Sequence, residues 1–350
     1  MDGIILPFNL HHIYHHHLLS AKHHQQVCSM AELTSTVVTS NLSSSSEYLP
    51  HSSWDYCVLV PAVVLSLCFL LGLPGNIAVI ILKPNWQHLS SLSQHLMLNL
   101  AMSDLLCVLT IPTLIYSLFS SWTLGLVACK LLMFLVYSSI YSRQLTVSVL
   151  SVHRYLLVVH RQRCSNEVRI RMLLVLLWLV AMMVSIPTLV IQQLVTDEQW
   201  TCCQGQFISQ TQKLAVLLTE IMMGFVSLSI VAFAYIRLHK KVNQAAFFSH
   251  PQTTRLVTSI TVTLFVLWLP YLCINVLIVA ATYLNNESML KFCTDTWNIF
   301  GALTFINSCL NPLLYAFTSH KFCALCQKIR PQRQTVQITP KQDVLPAAEP

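Results

Sequence analysis
Residues 129–160 read CKLLMFLVYSSIYSRQLTVSVLSVHRYLLVVH. From Leu131 to Val159 the stretch is almost entirely apolar. That is long enough to cross a bilayer, which takes about 20 residues at about 1.5 Å of rise each. Three features break the apolar pattern: Cys129 at one end, Arg143 in the middle, and His153-Arg154-Tyr155 at the other end. A charge in the middle of a membrane helix costs a few kcal/mol or more, so it comes with a partner and a role. A cysteine at one mouth and an Arg-Tyr pair at the other point to an oxidising side and a cytoplasmic side. The rest of the chain can be placed relative to this helix.

The chain has 350 residues, 55% of them hydrophobic and 9% charged. A soluble domain carries about 25% charged residues, so this composition belongs to a membrane protein. The formal charge is +7. Of the 20 Lys and Arg, 15 fall in segments read below as cytoplasmic, 4 in outer segments, and one, Arg143, in the membrane. Basic residues flanking apolar runs follow the positive-inside rule, so no nucleic-acid partner is expected. Most of the 13 cysteines, such as Cys68, Cys107 and Cys309, lie inside apolar runs and read as small core residues rather than a disulfide scaffold.

Residues 1–56 are polar and read as a disordered extracellular segment. The histidines from His11 to His24 are irregularly spaced, with no acid or cysteine among them, so neither a metal nor another cofactor is expected. A basic n-region followed by an apolar h-region is missing, and the stretch from Met30 resembles an ordinary short ectodomain, so Met1 and Met30 both stand as starts. Asn41-Leu42-Ser43 is a glycosylation sequon.

Seven apolar runs follow, at 57–82, 92–118, 127–157, 170–192, 212–239, 253–282 and 295–317. The connections after runs 1, 3 and 5 carry Lys83; Arg161, Arg163, Arg169 and Arg171; then Lys240, Lys241 and Arg255. Those after runs 2, 4 and 6 carry Trp122; Asp197 and Glu198; then Glu287. The basic connections face the cytoplasm, which puts the N-terminus outside. A second sequon, Asn286-Glu287-Ser288, then falls in an outer loop. The expected architecture is an all-α membrane protein, a seven-transmembrane helix bundle over residues 57–317 in the plasma membrane. Pro112, Pro187, Pro270 and Pro312 sit within runs, where each removes a backbone hydrogen bond and kinks its helix.

Asn76, Asp104, Arg143, Glu220, Asn307 and Asn311 lie within apolar runs. Arg143 lies about 16 Å deeper than Arg154, and Asp104 about 18 Å into its own run from the same side, at helical rise. At matching depth, an ion pair between Asp104 and Arg143 would relieve both desolvation costs. Glu220 lies about 12 Å below the outer mouth of run 5. It has no charged neighbour in sequence, and reads as a ligand contact in preference to a protonated, hydrogen-bonded core acid.

This arrangement resembles the rhodopsin-like (class A) G-protein-coupled receptors over residues 57–325. The resemblance rests on Gly75-Asn76, on LNLAMSD ending at Asp104, on Cys129 and Arg154-Tyr155, on Trp178 with Pro187, on Trp268-Leu269-Pro270, and on Asn311-Pro312-Leu313-Leu314-Tyr315. GLPGN at 72–76, Trp122-Thr123-Leu124-Gly125, Pro112 and the short third inner loop are similar to the chemoattractant group, and leukotriene B4 receptors in particular.

The resemblance implies roles. Cys129 is bonded to the second outer loop through Cys202 or Cys203, and Cys28 or Cys57 with Cys293 forms a second outer bridge. Trp268 and Pro270 form a hinge beneath the ligand. His153, Arg154, Tyr155, Tyr235, Asn311, Pro312 and Tyr315 make the activation switch that admits a heterotrimeric G protein, of the inhibitory class by analogy. Met133, Tyr137, Tyr141, Gln192, Glu220, Met223, Trp268 and Tyr271 are the ligand-pocket candidates. A leukotriene B4-like hydroxylated lipid is the first choice of agonist and a peptide chemoattractant the second. An enzyme is not expected, since no nucleophile elbow or His-Glu metal motif lies at a membrane face. The rival is a decoy receptor that binds ligand without signalling.

Several departures from the family matter. His153 stands where an acid is usual before the helix 3 arginine, so Arg154 lacks its ordinary restraint. Arg143 stands where the family has a small polar residue beside a sodium ion, so a guanidinium replaces the ion. Run 5 lacks its usual proline, with Ser227 or Leu228 at that depth. Gln192 stands where a lipid receptor would have a basic residue, and Met133 where it would have a histidine. After run 7, residues 318–329 read as a short amphipathic helix on the membrane lipids, with Cys323 and Cys326 as palmitoylation candidates. The tail, 330–350, has only Thr335 and Thr339 as hydroxyl sites, so arrestin recruitment through it is expected to be weak.

Overall fold
The computed structural model describes residues 51–83, 89–159, 166–197, 200–244 and 251–317. Cys28, Asn41, the 318–329 segment with Cys323 and Cys326, and the 330–350 tail lie outside the described residues, as do the side chains of Cys57, Arg255 and Tyr315. The described chain forms helices α1 (His51–Leu82), α2 (Ser91–Phe119), α3 (Gly125–Val159) and α4 (Glu167–Ile191). A hairpin of β1 (Gln192–Asp197) and β2 (Trp200–Gly205) follows, then α5 (Gln210–Gln244), α6 (Pro251–Tyr283) and α7 (Glu287–Phe317).

Each helix covers one of the apolar runs to within a residue, and three of them begin at a capping side chain. Ser90 caps α2, its side chain accepting from the Ser93 N–H. Asn166 caps α4, accepting from the N–H groups of Val168 and Arg169. Asn286 caps α7, accepting from the Met289 N–H at 3.0 Å. These caps occupy donors that have no partner inside the helix. Asn286 is exposed, and its cap uses Oδ1, which leaves the amide nitrogen of the sequon available. The turn before it places Asn285 at φ 50°, a conformation asparagine tolerates better than most residues. The helices continue through Pro112, Pro187, Pro270 and Pro312, and α5 runs its 35 residues without a proline.

Among the described residues, α1 to α6 are long and apolar enough to cross a membrane by composition alone. The seventh helix, α7, carries Thr304, Asn307, Ser308 and Asn311, and all four are buried inside the bundle. Its polarity faces inward. The exterior is the reverse: Leu70, Ile81, Leu82, Met172 and Met183 are all more than half exposed, as expected of side chains that face lipid.

Helix α3 is the hub. It packs on α2, α4 and α5, touches α6, and meets both strands of the hairpin. α1 packs on α2 and α7, and α6 joins α5 to α7. Three apolar clusters make up the core. One includes Leu96, Leu100, Val147, Leu150, Ile170 and Val231; a second includes Val108, Ile111, Ile140, Trp268, Tyr271 and Phe305; a smaller third includes Leu217, Ile274, Ile278 and Cys293.

The hairpin departs from the sequence reading, which carried run 4 to residue 192 and left the rest as loop. Helix α4 ends at Ile191, with the Gln192 N–H bonded back to the Thr188 carbonyl, and Gln192 opens β1 instead. β1 and β2 pair antiparallel from Gln192↔Gly205 to Asp197↔Trp200. The β-branched Val195, Thr196 and Thr201 suit strands.

Glycines set the closest helix crossings. A Cβ at Gly75 would stand 2.7 Å from Cβ of Pro312, a rigid ring on α7. A Cβ on Gly301 would meet nothing within 4 Å. Gly75→Val should therefore lower stability by about 1–3 kcal/mol, the usual cost of overpacking. Gly301→Ala should be neutral or slightly stabilising. Thermal unfolding of the purified protein, followed with a thiol-reactive dye, separates the two.

Candidate functional site
Three layers of functional side chains are stacked along α3. In the middle, Arg143 is 1% exposed, and its Nη1 lies 3.3 Å from Oδ1 of Asp104 on α2. Nη1 also donates to Ser308 Oγ, and Nη2 donates to the Thr304 carbonyl at 3.3 Å. The other carboxylate oxygen, Asp104 Oδ2, accepts from Asn311 Nδ2 at 2.6 Å. One ion pair thus ties α2, α3 and α7 together. Around it, Asn76 Nδ2 donates to the Ser308 carbonyl at 2.8 Å, binding α1 to α7. Asn99 Nδ2 donates to Thr146 Oγ1 at 2.7 Å and its Oδ1 accepts from Trp178 Nε1 at 2.8 Å, joining α2, α3 and α4.

At the end of α3 away from Cys129, His153 and Arg154 are both buried. His153 Nε2 lies 2.8 Å from the hydroxyl of Ser90, the N-cap residue of α2. The imidazole therefore clasps α3 to α2. Arg154 is 8% exposed, and its Nε and Nη2 have no hydrogen-bond partner among the described residues. Tyr155 packs edge-on against Phe233 of α5, with centroids 6.3 Å apart, and Tyr235 is exposed on the same helix. Asn311 and Pro312 sit in α7, close to the ion pair and to Gly75 respectively.

At the disulfide end, a cavity of about 540 Å³ opens between the helices under the hairpin. Met133, Tyr137, Gln192, Glu220, Trp268 and Tyr271 all line it. Tyr141 does not: it is buried behind Tyr137, with ring centroids 6.0 Å apart, because its position one turn further down α3 points it into the bundle. Met223 does not line it either. Glu220, 9% exposed, accepts on Oε2 from the Tyr271 hydroxyl and from Asn275 Nδ2, both at 2.9 Å. Asn275 Oδ1 accepts in turn from Trp297 Nε1 at 3.2 Å. No cation among the described residues pairs with this carboxylate. The Trp268 N–H is likewise buried at the cavity wall and has no acceptor among the described residues.

Sequence reasoning missed Asn275, although the signal was present: an amide one helical turn after Tyr271 in an apolar run. It also missed Lys213, Gln204 and Asp295 in the cavity lining, which only the folding of the hairpin and helix ends brings together.

The disulfide links Cys129 of α3 to Cys203 of β2 and holds the hairpin over the cavity. Cys293 is a free, buried thiol, which overturns the expected bridge from Cys28 or Cys57 to it. No group of three or more potential metal ligands occurs among the described residues.

The family "7 transmembrane receptor (rhodopsin family)" matches residues 75–315. The chain belongs to that family. The human C-C chemokine receptor type 8 is 31% identical over 277 residues, which span 75% of this chain and 77% of that receptor. The G-protein coupled receptor E1 of Equine herpesvirus 2 (strain 86/87) is 31% identical over 281 residues, 75% of this chain and 72% of that protein. The gorilla C-X-C chemokine receptor type 2 is 28% identical over 273 residues, 75% of this chain and 76% of that receptor. The chain is thus a multi-pass plasma-membrane receptor of the chemokine-receptor kind, a signalling protein and not an enzyme. The relatives correct the leukotriene B4 sub-assignment, and the residues agree with them. Gln192 and Met133, where a lipid receptor would have a base and a histidine, line the cavity and leave a lipid carboxylate without these two anchors.

Two measurements follow from the geometry. Breaking a buried ion pair from one side costs about 3–5 kcal/mol, because the other charge stays buried alone. Arg143→Met and Asp104→Asn should each lower the thermal midpoint sharply, and the double variant should recover much of the loss. Additive losses would show that the two side chains are not coupled. His153→Asp supplies a carboxylate beside the partnerless donors of Arg154, and basal G-protein activation by surface-matched receptor should fall. An unchanged basal rate would remove His153 from the restraint.

Proposed function
We propose that the chain is a G-protein-coupled receptor for a small basic protein or peptide chemoattractant, and that Glu220 receives a cationic group of the agonist. The reading rests on one observation: a carboxylate in the cavity wall, oriented by Tyr271 and Asn275, with no cation paired to it among the described residues. The charged residues lining the cavity are Lys213, Glu220 and Asp295, an acidic balance that suits a ligand bearing an ammonium or guanidinium group and disfavours an anionic lipid. The agonist's charge would supply an electrostatic partner that the described residues do not. The Trp268 N–H offers a donor to an agonist carbonyl on the same wall.

Orientation belongs to the same proposal. The end with the Cys129–Cys203 bridge faces the outside, because disulfides persist in oxidising compartments, and the basic connections face the cytoplasm. Agonist at the outer end shifts the population towards a form that exposes Arg154 to an inhibitory-class heterotrimeric G protein. The conformational link runs down α3, from Tyr137 in the cavity through Arg143 to Arg154.

The test is G-protein activation in cells expressing the chain, against a panel of chemokine proteins and a panel of hydroxylated fatty acids. A chemokine should activate it, and Glu220→Gln should weaken that agonist roughly tenfold or more, because truncating one partner of a buried charge pair costs about 2–5 kcal/mol. Neutralising the agonist's cation should give the same loss on the wild type and little further loss on Glu220→Gln. Activation by fatty acids alone would overturn the reading. Binding of labelled chemokine without activation would favour the decoy role.

A further inference from the structure
Helix α5 turns one stripe of side chains to the cavity: Lys213, Val216, Leu217 and Glu220. The spacing i, i+3, i+4, i+7 is a single helical face. A base stands at the hairpin end of the stripe and an acid at its inner end, with two apolar side chains between them. Seven residues of helical rise put the two charged positions about 10 Å apart. Cα–Cβ bonds in a helix lean toward its N-terminus, which for α5 is the hairpin end, so Lys213 leans away from Glu220. Its Nζ stands 6.0 Å from the centre of the Phe207 ring, and Phe207 lines the cavity too. That contact holds the ammonium at the rim.

Neither charge has a counter-charge in contact among the described residues: Lys213 and Glu220 form no ion pair with each other or with another of them. The third charged residue of the lining, Asp295, follows Lys291 by one turn of α7 and feels its charge. Gln204 of β2 also lines the cavity, and its buried Nε2 has no acceptor among the described residues. The site therefore offers donors at the hairpin end and an oriented carboxylate at the inner end.

We propose that Lys213 is a specificity-determining contact, and that the agonist segment entering the cavity is bipolar. Its cationic group sits on Glu220, and a carboxylate three or four residues along the segment sits on Lys213. Extended chain covers at most about 3.3–3.6 Å per residue, so three steps bridge the rise between the two positions and a fourth meets the reach of Lys213 toward Phe207. An apolar residue between the charges lies on Val216 and Leu217. The cavity, about 540 Å³, is of the size that encloses a small ligand, so what enters is a short segment and not a folded body. A ligand of reversed polarity meets like charge at both ends, so the stripe selects direction as well as length. The proposal rests on the assignment of Glu220 to the agonist's cation.

The probes are peptides of alternating alanine and leucine, two to six residues long, with free ends. Their binding to the full-length receptor in lipid nanodiscs is titrated by saturation-transfer NMR. Affinity should be highest at three or four residues. Amidating the C-terminus of the tetrapeptide should weaken binding about threefold to fivefold on the wild type, the scale of a partly exposed ion pair, and leave Lys213→Gln unaffected. Lys213→Glu should prefer the tetrapeptide ending in a cationic aminoethylamide over the free acid, a reversal that a misfolded receptor cannot produce. N-terminal acetylation should cost about tenfold on the wild type and little on Glu220→Gln. An acetylation loss that depends on Glu220, with an amidation loss that is absent or persists in Lys213→Gln, would overturn this proposal and leave the Glu220 assignment standing. An acetylation loss undiminished in Glu220→Gln would overturn the assignment beneath it. No binding by any peptide of the set would also overturn the bipolar site. The amidated tetrapeptide with aspartate as its last residue identifies the source of the carboxylate: recovery assigns it to an acidic side chain of a longer agonist, and no recovery assigns it to a chain end.

Discussion
A lipid surround offers no water to a buried charge, and the Asp104–Arg143 pair is where that constraint bears hardest on this receptor. Neither charge has an alternative partner of opposite sign among the described residues, so α2 and α3 are held at one register relative to each other. The remaining donors and acceptors of the pair are met by Ser308, Thr304 and Asn311, which brings α7 to the same level. This explains how α7 carries so many polar side chains and still fits the bundle. Its polar side is consumed by the pair, and its apolar side is left for lipid and neighbouring helices. The Asn76 bond to the Ser308 carbonyl then draws α1 in, where Gly75 lets it approach Pro312.

The two ends of α3 use this fixed middle in opposite ways. At the disulfide end the helices diverge into a cavity whose carboxylate, Glu220, is oriented but has no charge partner among the described residues. At the other end Arg154 is buried with two donors that meet no acceptor among the described residues, and its neighbour His153 is turned to the cap of α2. The fixed middle thus stands between two buried charges that lack a counter-charge among the described residues.

Much of this was legible in the chain, for identifiable reasons. Counting residues at helical rise put Asp104 and Arg143 at one depth, and the structure places them in contact, because depth along parallel helices is nearly a one-dimensional property. The same counting could not say that Tyr141 sits behind Tyr137 instead of in the cavity, since facing depends on helix rotation. Glu220 looked isolated because Tyr271 and Asn275 are more than 50 residues away in sequence. The hairpin was read as loop because six-residue strands leave little periodic signal beside long apolar runs. The lipid sub-assignment came from short motifs such as GLPGN at 72–76 and Trp122-Thr123-Leu124-Gly125, and short motifs weigh less than similarity spread over three-quarters of the chain.

The sequence by itself determined the seven apolar runs, the polar residues inside them, the asymmetry of basic residues, and the motifs that mark the rhodopsin family. These are local properties, set by what each segment must be to remain in lipid. Only the tertiary structure decided that Cys203 and not Cys202 meets Cys129, that Cys293 stays free, that His153 turns to Ser90, and that Glu220 is held by α6. Each of those outcomes depends on how helices rotate and which loop end falls above which helix. Rotation and approach are fixed by packing between segments distant in the chain, which a one-dimensional pattern does not encode.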